Sequence, residues 1–425
     1  MIKNLDIELF PSNLDGEVNS PPSKSLSHRA LICAGLSKGR SVIDNIIYSD
    51  DVLATINALE LLGAKFEREP GKVIVQGIKR IKAPSEAIGC NESGSTLRFL
   101  IPLFSLSNKE VIFTGEKSLI SRPQSIYEKI FKEDNNIFNK DANKIVVNGS
   151  IKARDYTIKG NVSSQFFSGL MFALPLLEGN STIHIDGILE SKSYIDLTIA
   201  VLEEFGIEIQ ELENGYLIEG NQIYQANNYT VEGDYSQAAF YLVGGVISGL
   251  VKVNDLLHYS KQGDKAIIEY IKQMKGKVIY MENGYITESS DTIGSKIDLA
   301  DCPDLGPIIT LLAGLSKGKS TIINISRLRL KESDRVKTTV SSLKALGANI
   351  KSSKDKIEVI GKSMLDGGVT VDSYNDHRIA MMISIAALKC NKPIILTNAN
   401  AVTKSYPAFF EDYKLLGGNY KIIKE

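Results

Sequence analysis

The sequence contains one unit repeated six times. The segment from His28 to Ile46, HRALICAGLSKGRSVIDNI, recurs as GPIITLLAGLSKGKSTIINI from Gly306 to Ile325 and as FFSGLMFALPLLEGNSTIHI from Phe166 to Ile185. In each copy an apolar run is followed by a glycine turn and a β-branched run, which predicts a helix, a turn and a strand. The three weaker copies begin near Ser95, Ser236 and His377. A fixed repeat predicts a protein built from copies of one supersecondary unit.

A second helix is predicted in each strong copy. Asp51–Phe66, Asp196–Ile209 and Asp334–Ile350 are amphipathic segments that contain a glycine ahead of a strand pattern. The copies start about 70 residues apart, which is enough for four strands and two helices. Six such units in two groups of three predict a two-lobed α/β protein, with three buried helices inside each lobe and sheets outside.

The length of the chain also favours two lobes. One hydrophobic core rarely serves 425 residues, so we expect two domains of roughly 200 residues each. The polar stretches Asn13–Ser25 and Asn227–Tyr235 are candidate joints, which places two hinge crossings near 14–24 and 229–236. The expected lobes are 24–232 (N-terminal) and 236–425 together with 1–20 (C-terminal).

Charge and hydropathy exclude several classes of function. The 49 Lys and Arg residues against 50 Asp and Glu residues leave a net charge of −1, which disfavours nucleic acid or an anionic membrane as partner. The longest apolar runs, Phe166–Leu177 and Ala238–Val251, are shorter than the roughly 20 residues of a membrane span. We interpret both runs as buried helices.

The N-terminus and the cysteines indicate a cytoplasmic protein. MIKNLDIELF lacks the basic start and apolar run of a signal peptide. Cys33, Cys90, Cys302 and Cys390 are isolated from one another, which fits a reducing compartment. The four histidines are scattered, so no metal site is expected. We also expect a monomer.

Basic residues cluster where the buried helices are predicted to begin. A helix N-terminus offers free N–H groups and a positive dipole end, and Arg and Lys beside it strengthen an anion site. For any one cluster, Ser or Asp that only caps the helix is an equally good interpretation. Clusters at five equivalent positions imply a ligand with several negative groups, held between the lobes. They are 21–29 (PPSKSLSHR), 91–98 (NESGSTLR), 163–165 (SSQ), 327–335 (RLRLKESDR) and 376–378 (DHR).

These residues resemble the enolpyruvyl transferase family, and within it the branch that acts on 3-phosphoshikimate. The resemblance covers essentially the whole chain, and eight motifs in order make it specific. They are Pro22–Arg29 (PSKSLSHR), Ser121–Pro123 (SRP), Ser163–Gln165 (SSQ), Ser191–Thr198 (SKSYIDLT), Val231–Leu242 (VEGDYSQAAFYL), Lys331–Arg335 (KESDR), Asn375–Met381 (NDHRIAM) and Lys404–Pro407 (KSYP).

The resemblance implies a fold and a reaction. Family members are two-domain inside-out α/β barrels of six repeated four-strand, two-helix units, three per domain, and their lobes close around the substrate. The implied reaction moves the enolpyruvyl group of phosphoenolpyruvate to the 5-hydroxyl of 3-phosphoshikimate and releases phosphate. It proceeds by addition and elimination through a tetrahedral intermediate, on the pathway to chorismate and aromatic amino acids. No cofactor or metal is implied.

The motifs also carry over the family's site residues. The implied 3-phosphoshikimate contacts are Lys24, Ser25, Arg29, Ser163, Ser164, Gln165, Ser191, Tyr194, Asp304, Arg327 and Lys331. The implied phosphoenolpyruvate contacts are Lys24, Gly94, Arg122, Gln165, Arg335, Arg378 and Lys404, with Lys331 also beside this substrate. The implied catalytic residues are Lys24, Asp304 and Glu332.

The chemistry requires an acid and a base. C2 of phosphoenolpyruvate becomes electrophilic only when C3 accepts a proton, and Glu332 is the candidate acid. Asp304 is the candidate base for the 5-hydroxyl, while Lys24 and Lys404 would offset charge on the departing phosphate. Both carboxylates have a purely structural alternative at a helix start. Which of Lys24, Asp304 and Glu332 moves each proton stays open.

The chain departs from the family pattern in several places. Glu92, Ser93 and Ser95 surround Gly94 where Asn-Ala-Gly-Thr is frequent, Arg327 replaces a frequent Asn, and Ser193 replaces a common Pro. These changes concern substrate affinity more than reaction class. Since Gly94 leaves room that a methyl group would occupy, we expect inhibition by glyphosate, a phosphonate that occupies the phosphoenolpyruvate site in the family.

Two alternatives remain at this point. The sister enzyme that acts on UDP-N-acetylglucosamine opens with Lys-Asn and carries a reactive Cys or Asp before its matching Arg, whereas this chain has Lys24-Ser25 and neither residue in Thr114–Arg122. A non-catalytic anion-binding repeat protein would keep the basic clusters but would not need Asp304 and Glu332 together.

Overall fold

The computed structural model describes residues 5–424. The first four residues, which belong to the predicted C-terminal lobe, and the last residue lie outside this range. The chain divides into two compact units. We call Pro22–Val231 the N-terminal unit, and the described residues up to Pro21 together with those from Glu232 onward the C-terminal unit.

The strands are short and occur throughout the chain. In the first half they are β1 (Asp6–Phe10), β2 (Leu14–Asn19), β3 (Arg40–Asp44), β4 (Lys65–Glu69), β5 (Lys72–Gln76), β6 (Ile88–Gly89), β7 (Val111–Thr114), β8 (Ile137–Lys140), β9 (Lys144–Asn148), β10 (Asp155–Lys159), β11 (Ser181–Asp186), β12 (Ile209–Leu212), β13 (Gly215–Ile218) and β14 (Tyr229–Thr230). In the second half they are β15 (Gly249–Asn254), β16 (Lys277–Met281), β17 (Gly284–Glu288), β18 (Lys296–Asp298), β19 (Lys319–Ile323), β20 (Asn349–Ser352), β21 (Lys356–Ile360), β22 (Leu365–Gly367), β23 (Thr370–Asp372), β24 (Cys390–Lys392), β25 (Ile394–Thr397) and β26 (Asn419–Lys424).

Helices alternate with these strands. The α-helices are α1 (Lys24–Leu36), α2 (Asp50–Leu62), α3 (Gly94–Ser105), α4 (Lys117–Ile120), α5 (Ser125–Glu133), α6 (Ser164–Ala173), α7 (Lys192–Glu204), α8 (Tyr235–Ser248), α9 (Ala266–Gln273), α10 (Gly306–Gly314), α11 (Arg335–Ala345), α12 (His377–Ala387) and α13 (Phe409–Leu415). Five 3₁₀ helices are present in residues 5–424: Leu174–Leu176, Gly263–Lys265, Pro303–Leu305, Ser326–Leu330 and Ala399–Lys404.

Six four-stranded sheets confirm the predicted repeat. Within residues 5–424 the N-terminal unit has the sheets β14-β3-β5-β4, β6-β7-β9-β8 and β10-β11-β13-β12, and the C-terminal unit has β2-β15-β17-β16, β18-β19-β21-β20 and β23-β25-β1-β26. In each sheet the first pair of strands is parallel and the other two pairs are antiparallel. In the four sheets with β6-β7, β10-β11, β18-β19 and β23-β25, the buried helix lies in the crossover connection that a parallel pair needs. A small additional sheet joins β22 to β24.

The most apolar helices form the centre of each unit. α8, α10 and α12 are buried at every residue, and they pack on one another. In the N-terminal unit, α3 packs on α6, and α1 packs on α7. Each unit has its own hydrophobic core, as three buried helices inside an outer layer of sheets require.

Some predicted segments contain more than one element. The Asp51–Phe66 segment holds α2, a left-handed Gly63 (φ 114°) and the first residues of β4. The apolar run Ala238–Val251 leaves α8 at Ser248 and continues as β15. Hydropathy alone did not mark this boundary, because the helix and the strand are both buried.

The first described strands complete sheets formed by distant parts of the chain. β1 lies between β25 and β26, with Ile7 opposite Leu396 and Leu9 opposite Tyr420. β2 runs parallel to β15, and a Cβ on Gly249 would lie only 1.7 Å from the Leu14 carbonyl oxygen. In the N-terminal unit, β14 pairs in the same way with β3. In the first repeat of each unit, the parallel partner strand therefore comes from a distant part of the sequence. This strand is β14 in the N-terminal unit and β2 in the C-terminal unit.

Truncating the Leu9 side chain tests the packing of β1 between β25 and β26. Its side chain is fully buried between two partner strands, so we expect Leu9→Ala to lower the free energy of unfolding by about 2–5 kcal/mol. Urea unfolding followed by circular dichroism measures the change. Glu8→Ala, on the other face of β1, is the matched control and should shift stability by less than about 0.5 kcal/mol. Equal effects of the two variants would contradict the burial of β1.

Candidate active site

Every buried helix has a serine or an aspartate at the equivalent position of its repeat. These residues are Ser23, Ser93 and Ser163 in the N-terminal unit and Asp234, Asp304 and Asp376 in the C-terminal unit. All except Asp304 are N-caps whose side-chain oxygens accept backbone N–H groups of the first helical turn. Asp304 lies in the 3₁₀ helix just before α10. The N-terminal unit therefore has neutral side chains at this position, and the C-terminal unit has carboxylates.

Asp304 is the centre of a charged network in the C-terminal unit. Its Oδ1 lies 3.0 Å from Lys331 Nζ and 3.0 Å from Arg335 Nη1, and its Oδ2 lies 3.1 Å from Arg378 Nη2. Burial alone would raise the pKa of the Asp304 carboxyl, but the Arg378, Lys331 and Arg335 charges outweigh it and hold the pKa well below its usual range. Asp304 is therefore ionised at neutral pH.

Arg335 links this centre to two further carboxylates. It is 1% exposed, donates from Nε to Asp376 Oδ2 at 2.8 Å, and donates from Nη2 to Glu332 Oε2 at 2.6 Å. Burial lowers the pKa of the guanidinium, but Asp376, Glu332 and Asp304 raise it more, so the group stays charged. Arg335 thus fixes the position of Glu332 at the start of α11.

Lys331 belongs to this network and feels the charge of Arg327. Burial lowers the pKa of the Lys331 ammonium, Asp304 raises it, and the nearby Arg335 and Arg327 charges lower it again. The net result is a pKa below the usual value. Arg327 is therefore close enough to act on Lys331 electrostatically, from the 3₁₀ helix Ser326–Leu330.

Arg378 and Lys404 complete the basic residues of the C-terminal unit. Arg378 donates to the Ser236 hydroxyl at 2.9 Å, and its backbone N–H is held by Asp376 at 3.0 Å. Lys404 Nζ donates to the Asn375 carbonyl oxygen, which is in the same loop as Asp376. The structure thus brings Asp304, Glu332, Lys331, Arg335 and Arg378 into one connected set, and it places Lys404 beside the start of α12.

In the N-terminal unit, Arg122 and Gly94 are adjacent. A Cβ on Gly94 would lie 3.0 Å from Arg122 Nη1 and 3.3 Å from Gln165 Oε1. Arg122 is buried, yet its Nε and Nη2 have no hydrogen-bond acceptor among residues 5–424. Buried guanidinium donors without an acceptor are costly, so this position favours an anion as partner. Gln165 itself accepts from Arg98 Nη1 at 3.0 Å and donates to Ser95 Oγ at 3.1 Å.

Lys24 and Arg29 are on the first turns of α1 and already have protein partners. Lys24 Nζ lies 2.8 Å from Asp51 Oδ2. Arg29 donates to Thr198 Oγ1 at 2.9 Å and to the backbone oxygens of Ser25 at 2.7 Å and Tyr194 at 2.9 Å. Burial lowers the pKa of Arg29 to about 10. Arg29 therefore links α1 to α7.

The remaining serines mark two helix starts. Ser163 caps α6, and Ser164 is buried at its first position. Ser191 is buried with a left-handed backbone (φ 55°) just before α7, and its carbonyl oxygen accepts the Tyr194 N–H at 3.2 Å. The structure therefore places Ser191 and Tyr194 in one turn beside Arg29.

Several residues of the network were not predicted from the sequence. Asp51 and Asp376 each pair with a predicted basic residue, and Thr198 and Ser236 each accept a hydrogen bond from one. Arg98 donates to the predicted Gln165. Asp376 had a signal, because it directly precedes His377-Arg378 in a recognised motif. No sequence signal marked Asp51 as a partner of Lys24, because an aspartate at the start of α2 is equally well explained by helix capping.

Two classes of site are missing from the described part of the chain. Residues 5–424 contain no group of three or more His, Cys, Asp or Glu side chains arranged to hold a metal ion. No helix among them is long and apolar enough to cross a membrane.

Comparison with known proteins gives a consistent result. The family described as EPSP synthase (3-phosphoshikimate 1-carboxyvinyltransferase) matches residues 10–413. A 3-phosphoshikimate 1-carboxyvinyltransferase of Clostridium novyi is 47% identical, over 97% of this chain and 98% of the relative, and one of Clostridioides difficile is 43% identical, over 97% of each.

Solved structures agree in fold. The EPSP synthase of Acinetobacter baumannii superposes with a TM-score of 0.81 at 24% identity, covering 98% of this chain and 99% of the other. The enolpyruvyl transferase NikO of Streptomyces tendae has a TM-score of 0.81 at 14% identity, covering 100% and 99%. At these identities the likeness concerns the fold.

The buried His28 on α1 predicts an acid-sensitive N-terminal unit. Its Nδ1 lies 2.7 Å from Thr55 Oγ1, and burial, followed by the Lys24 and Arg29 charges, holds its pKa well below the usual value. The unfolded chain binds this proton near pH 6.5 and the folded chain does not, so stability is complete above that pH and falls as the pH drops below it. The loss should approach about 1.4 kcal/mol per pH unit.

Urea unfolding between pH 7.5 and pH 5 measures this loss. His28→Gln, which cannot titrate, should flatten the decline relative to the unsubstituted protein. His258→Gln, at a partly exposed loop histidine, is the control and should leave the slope unchanged. An unaltered pH dependence in His28→Gln would show that another group is responsible.

Proposed function

Because the chain belongs to the EPSP synthase (3-phosphoshikimate 1-carboxyvinyltransferase) family, a family of transferases of the shikimate pathway, we propose that its two sets of charged residues perform this enolpyruvyl transfer. Phosphoenolpyruvate and 3-phosphoshikimate are then the substrates, and phosphate leaves. The observation that carries the proposal is the convergence of three cations on Asp304. One of these cations, Arg335, also forms an ion pair with Glu332, so the two carboxylates share a partner. These carboxylates also position the cations, so only the loss of turnover in their variants distinguishes an enzyme from a non-catalytic anion-binding protein.

The basic residues bind the anionic groups of both substrates. Arg122 has two buried donors without a protein acceptor, and Gly94 leaves space next to its guanidinium, so this pair takes part of phosphoenolpyruvate. Arg335, Arg378 and Lys404 take its remaining charge. The 3-phosphoshikimate contacts are Lys24, Ser25, Arg29, Ser163, Ser164, Gln165, Ser191, Tyr194, Arg327 and Lys331.

Asp304 acts as the base towards the 5-hydroxyl. It is ionised, as a base must be, but three cations make it a weak one. The phosphate and carboxylate groups of the substrates compete for those cations, which raises the basicity of Asp304 when both substrates are bound. The proton is then taken only in the complex that can react.

Glu332 acts at C3 of phosphoenolpyruvate. Its carboxylate is ion-paired with Arg335, so it takes up a proton from solvent when the phosphoenolpyruvate anion competes for that guanidinium. It donates this proton to C3 while the 5-oxygen forms its bond to C2, which gives the tetrahedral adduct. It then takes a proton back from C3 as the bond between C2 and the phosphate oxygen breaks. The hydroxyl proton leaves with phosphate, and Lys24 and Lys404 offset the charge of that leaving group.

The family match argues against the alternative acceptor. The relatives compared above are named for the 3-phosphoshikimate reaction, and none of them for UDP-N-acetylglucosamine. Phosphate release from phosphoenolpyruvate, measured with each acceptor in turn, separates the two enzymes. We expect phosphate release from phosphoenolpyruvate when 3-phosphoshikimate is the acceptor, and none when UDP-N-acetylglucosamine is the acceptor.

A cytoplasmic monomer that works without metal or cofactor remains a prediction from the sequence. Light scattering tests the monomer. Turnover after exhaustive treatment with a chelator tests the independence from metal.

Removing the acid and the base should abolish turnover while binding persists. We expect Asp304→Asn and Glu332→Gln each to lower kcat by about 10²–10⁴-fold, since general acid–base catalysis contributes that much. Binding of 3-phosphoshikimate, measured by calorimetry, should change far less. Phosphate release in the presence of both substrates gives kcat.

The control for these variants is Glu269→Gln. This carboxylate has a side chain 70% exposed and pairs only weakly, at 3.5 Å, with Lys272. It should leave kcat unchanged. Normal turnover in both Asp304→Asn and Glu332→Gln would refute the mechanism but not the family assignment.

A methyl group at Gly94 should weaken phosphoenolpyruvate and glyphosate binding. Its contacts at 3.0 and 3.3 Å force Arg122 and Gln165 to move, so we expect Gly94→Ala to raise the KM for phosphoenolpyruvate and the inhibition constant of glyphosate by roughly tenfold or more. Steady-state inhibition measures both.

Gly89→Ala is the matched control, since nothing lies within 4 Å of an added Cβ there. It should leave both constants near those of the unsubstituted enzyme. If glyphosate inhibits Gly94→Ala as strongly as the unsubstituted enzyme, Gly94 does not border the phosphoenolpyruvate site.

A further inference from the structure

The C-terminal unit has a cleft away from the Asp304 network. It has a volume of about 950 Å³ and is lined at one side by Ile247 and Leu315, which lie at the C-terminal ends of α8 and α10. The Asp304 network lies at the opposite, N-terminal ends of the buried helices. α8 has 14 residues, so the two ends are about 21 Å apart. The cleft is therefore separate from the proposed active site.

Five lysines and one aspartate line this cleft. The lysines are Lys275, Lys277, Lys317, Lys362 and Lys389, and the acid is Asp291. Lys277 lies 3.4 Å from Glu288, and Lys362 lies 3.5 Å from Asp366. The other three lysines form no salt bridge with any residue in the range 5–424. Three unpaired ammonium groups against one carboxylate leave a charge of about +2, which matches a phosphate dianion.

Helix capping does not account for these lysines. The carbonyl oxygens at the helix ends are already satisfied by backbone N–H groups. Ser290 donates to Val246 at 3.0 Å, Lys362 to Gly314 at 2.9 Å, and Lys389 to Ala386 at 3.1 Å. The helix dipoles favour cations here, but each contributes only about half a charge that fades within the last turn. Ammonium groups crowded around one cleft repel each other unless an anion offsets them.

Lys275 is not shared by the other repeats. It lies at the left-handed position after α9 (φ 66°), where the corresponding loops after α2, α5 and α7 have Gly63, Asn135 and Gly206. The loop after α1 has Lys38 where the loop after α10 has Lys317, both within Ser-Lys-Gly. Lys38 is therefore the repeat equivalent of Lys317 outside this cleft.

We propose that this cleft binds a small organic phosphate. The ammonium groups of Lys275, Lys317 and Lys389 hold the phosphate as mobile point charges. The hydroxyl groups of Ser289 and Ser363, which also line the cleft, add hydrogen bonds. Ile247 and Leu315 form an apolar wall for the organic part of the ligand. A volume of about 950 Å³ is within the range of small-molecule sites. This inference does not depend on the proposed catalytic roles.

Lysine footprinting tests the site in the full-length protein. The protein is labelled with an acetylating reagent at fixed ionic strength, with and without pyrophosphate or ADP, and each lysine is followed by mass spectrometry. We expect labelling of Lys275, Lys317 and Lys389 to slow about tenfold at a probe concentration ten times its Kd. Lys38 should label at the same rate throughout. No protection in the cleft, or equal protection at Lys38, would overturn the proposal.

Substituted proteins give an independent measurement. Calorimetric titration with pyrophosphate should show binding roughly tenfold weaker in the triple variant Lys275→Gln, Lys317→Gln, Lys389→Gln, because three exposed ion pairs are lost. Lys38→Gln is the matched control and should titrate like the unsubstituted protein. Equal weakening in both would show a nonspecific charge effect and refute the site. ADP binding that exceeds pyrophosphate binding supports the apolar wall, and adenosine that binds as well as ADP contradicts the role of the lysines.

Discussion

The C-terminal unit depends on the burial of one guanidinium group among three carboxylates. Arg335 is 1% exposed, and Asp304, Glu332 and Asp376 surround it. A buried charge is tolerated only when its partners are in place, and loss of any one partner leaves an uncompensated ion. These partners come from before α10, the start of α11 and the cap of α12. The ion pairs therefore fix the relative positions of three helix starts and of the two carboxylates proposed for catalysis.

The same repeat serves two electrostatic purposes. In the N-terminal unit the buried helices begin with neutral serine caps, and Arg122 retains buried donors that no described residue satisfies. In the C-terminal unit the equivalent positions are aspartates, and two of them, Asp304 and Asp376, hold Arg335 in fixed geometry. The first arrangement favours binding of an anion, and the second includes Asp304, the residue proposed as the base.

Much of the fold followed from the sequence pattern. The apolar run, turn and β-branched run predicted six units, and the structure has six four-stranded sheets in residues 5–424. The exact ends of α8 and the start of β15 did not follow, because helix and strand are both buried and hydropathy does not distinguish them. The placement of β2 against β15, more than 200 residues away, also depends on tertiary packing.

By itself the sequence determined the repeat, the family and the identity of the basic residues, because these are local patterns in recognisable order. Only the tertiary structure decided which partners those residues have. Lys24 with Asp51, Arg335 with Asp376, and Arg29 with Thr198 join residues 27, 41 and 169 positions apart. Pairing of this kind depends on distance and burial in three dimensions, and no local sequence pattern encodes either.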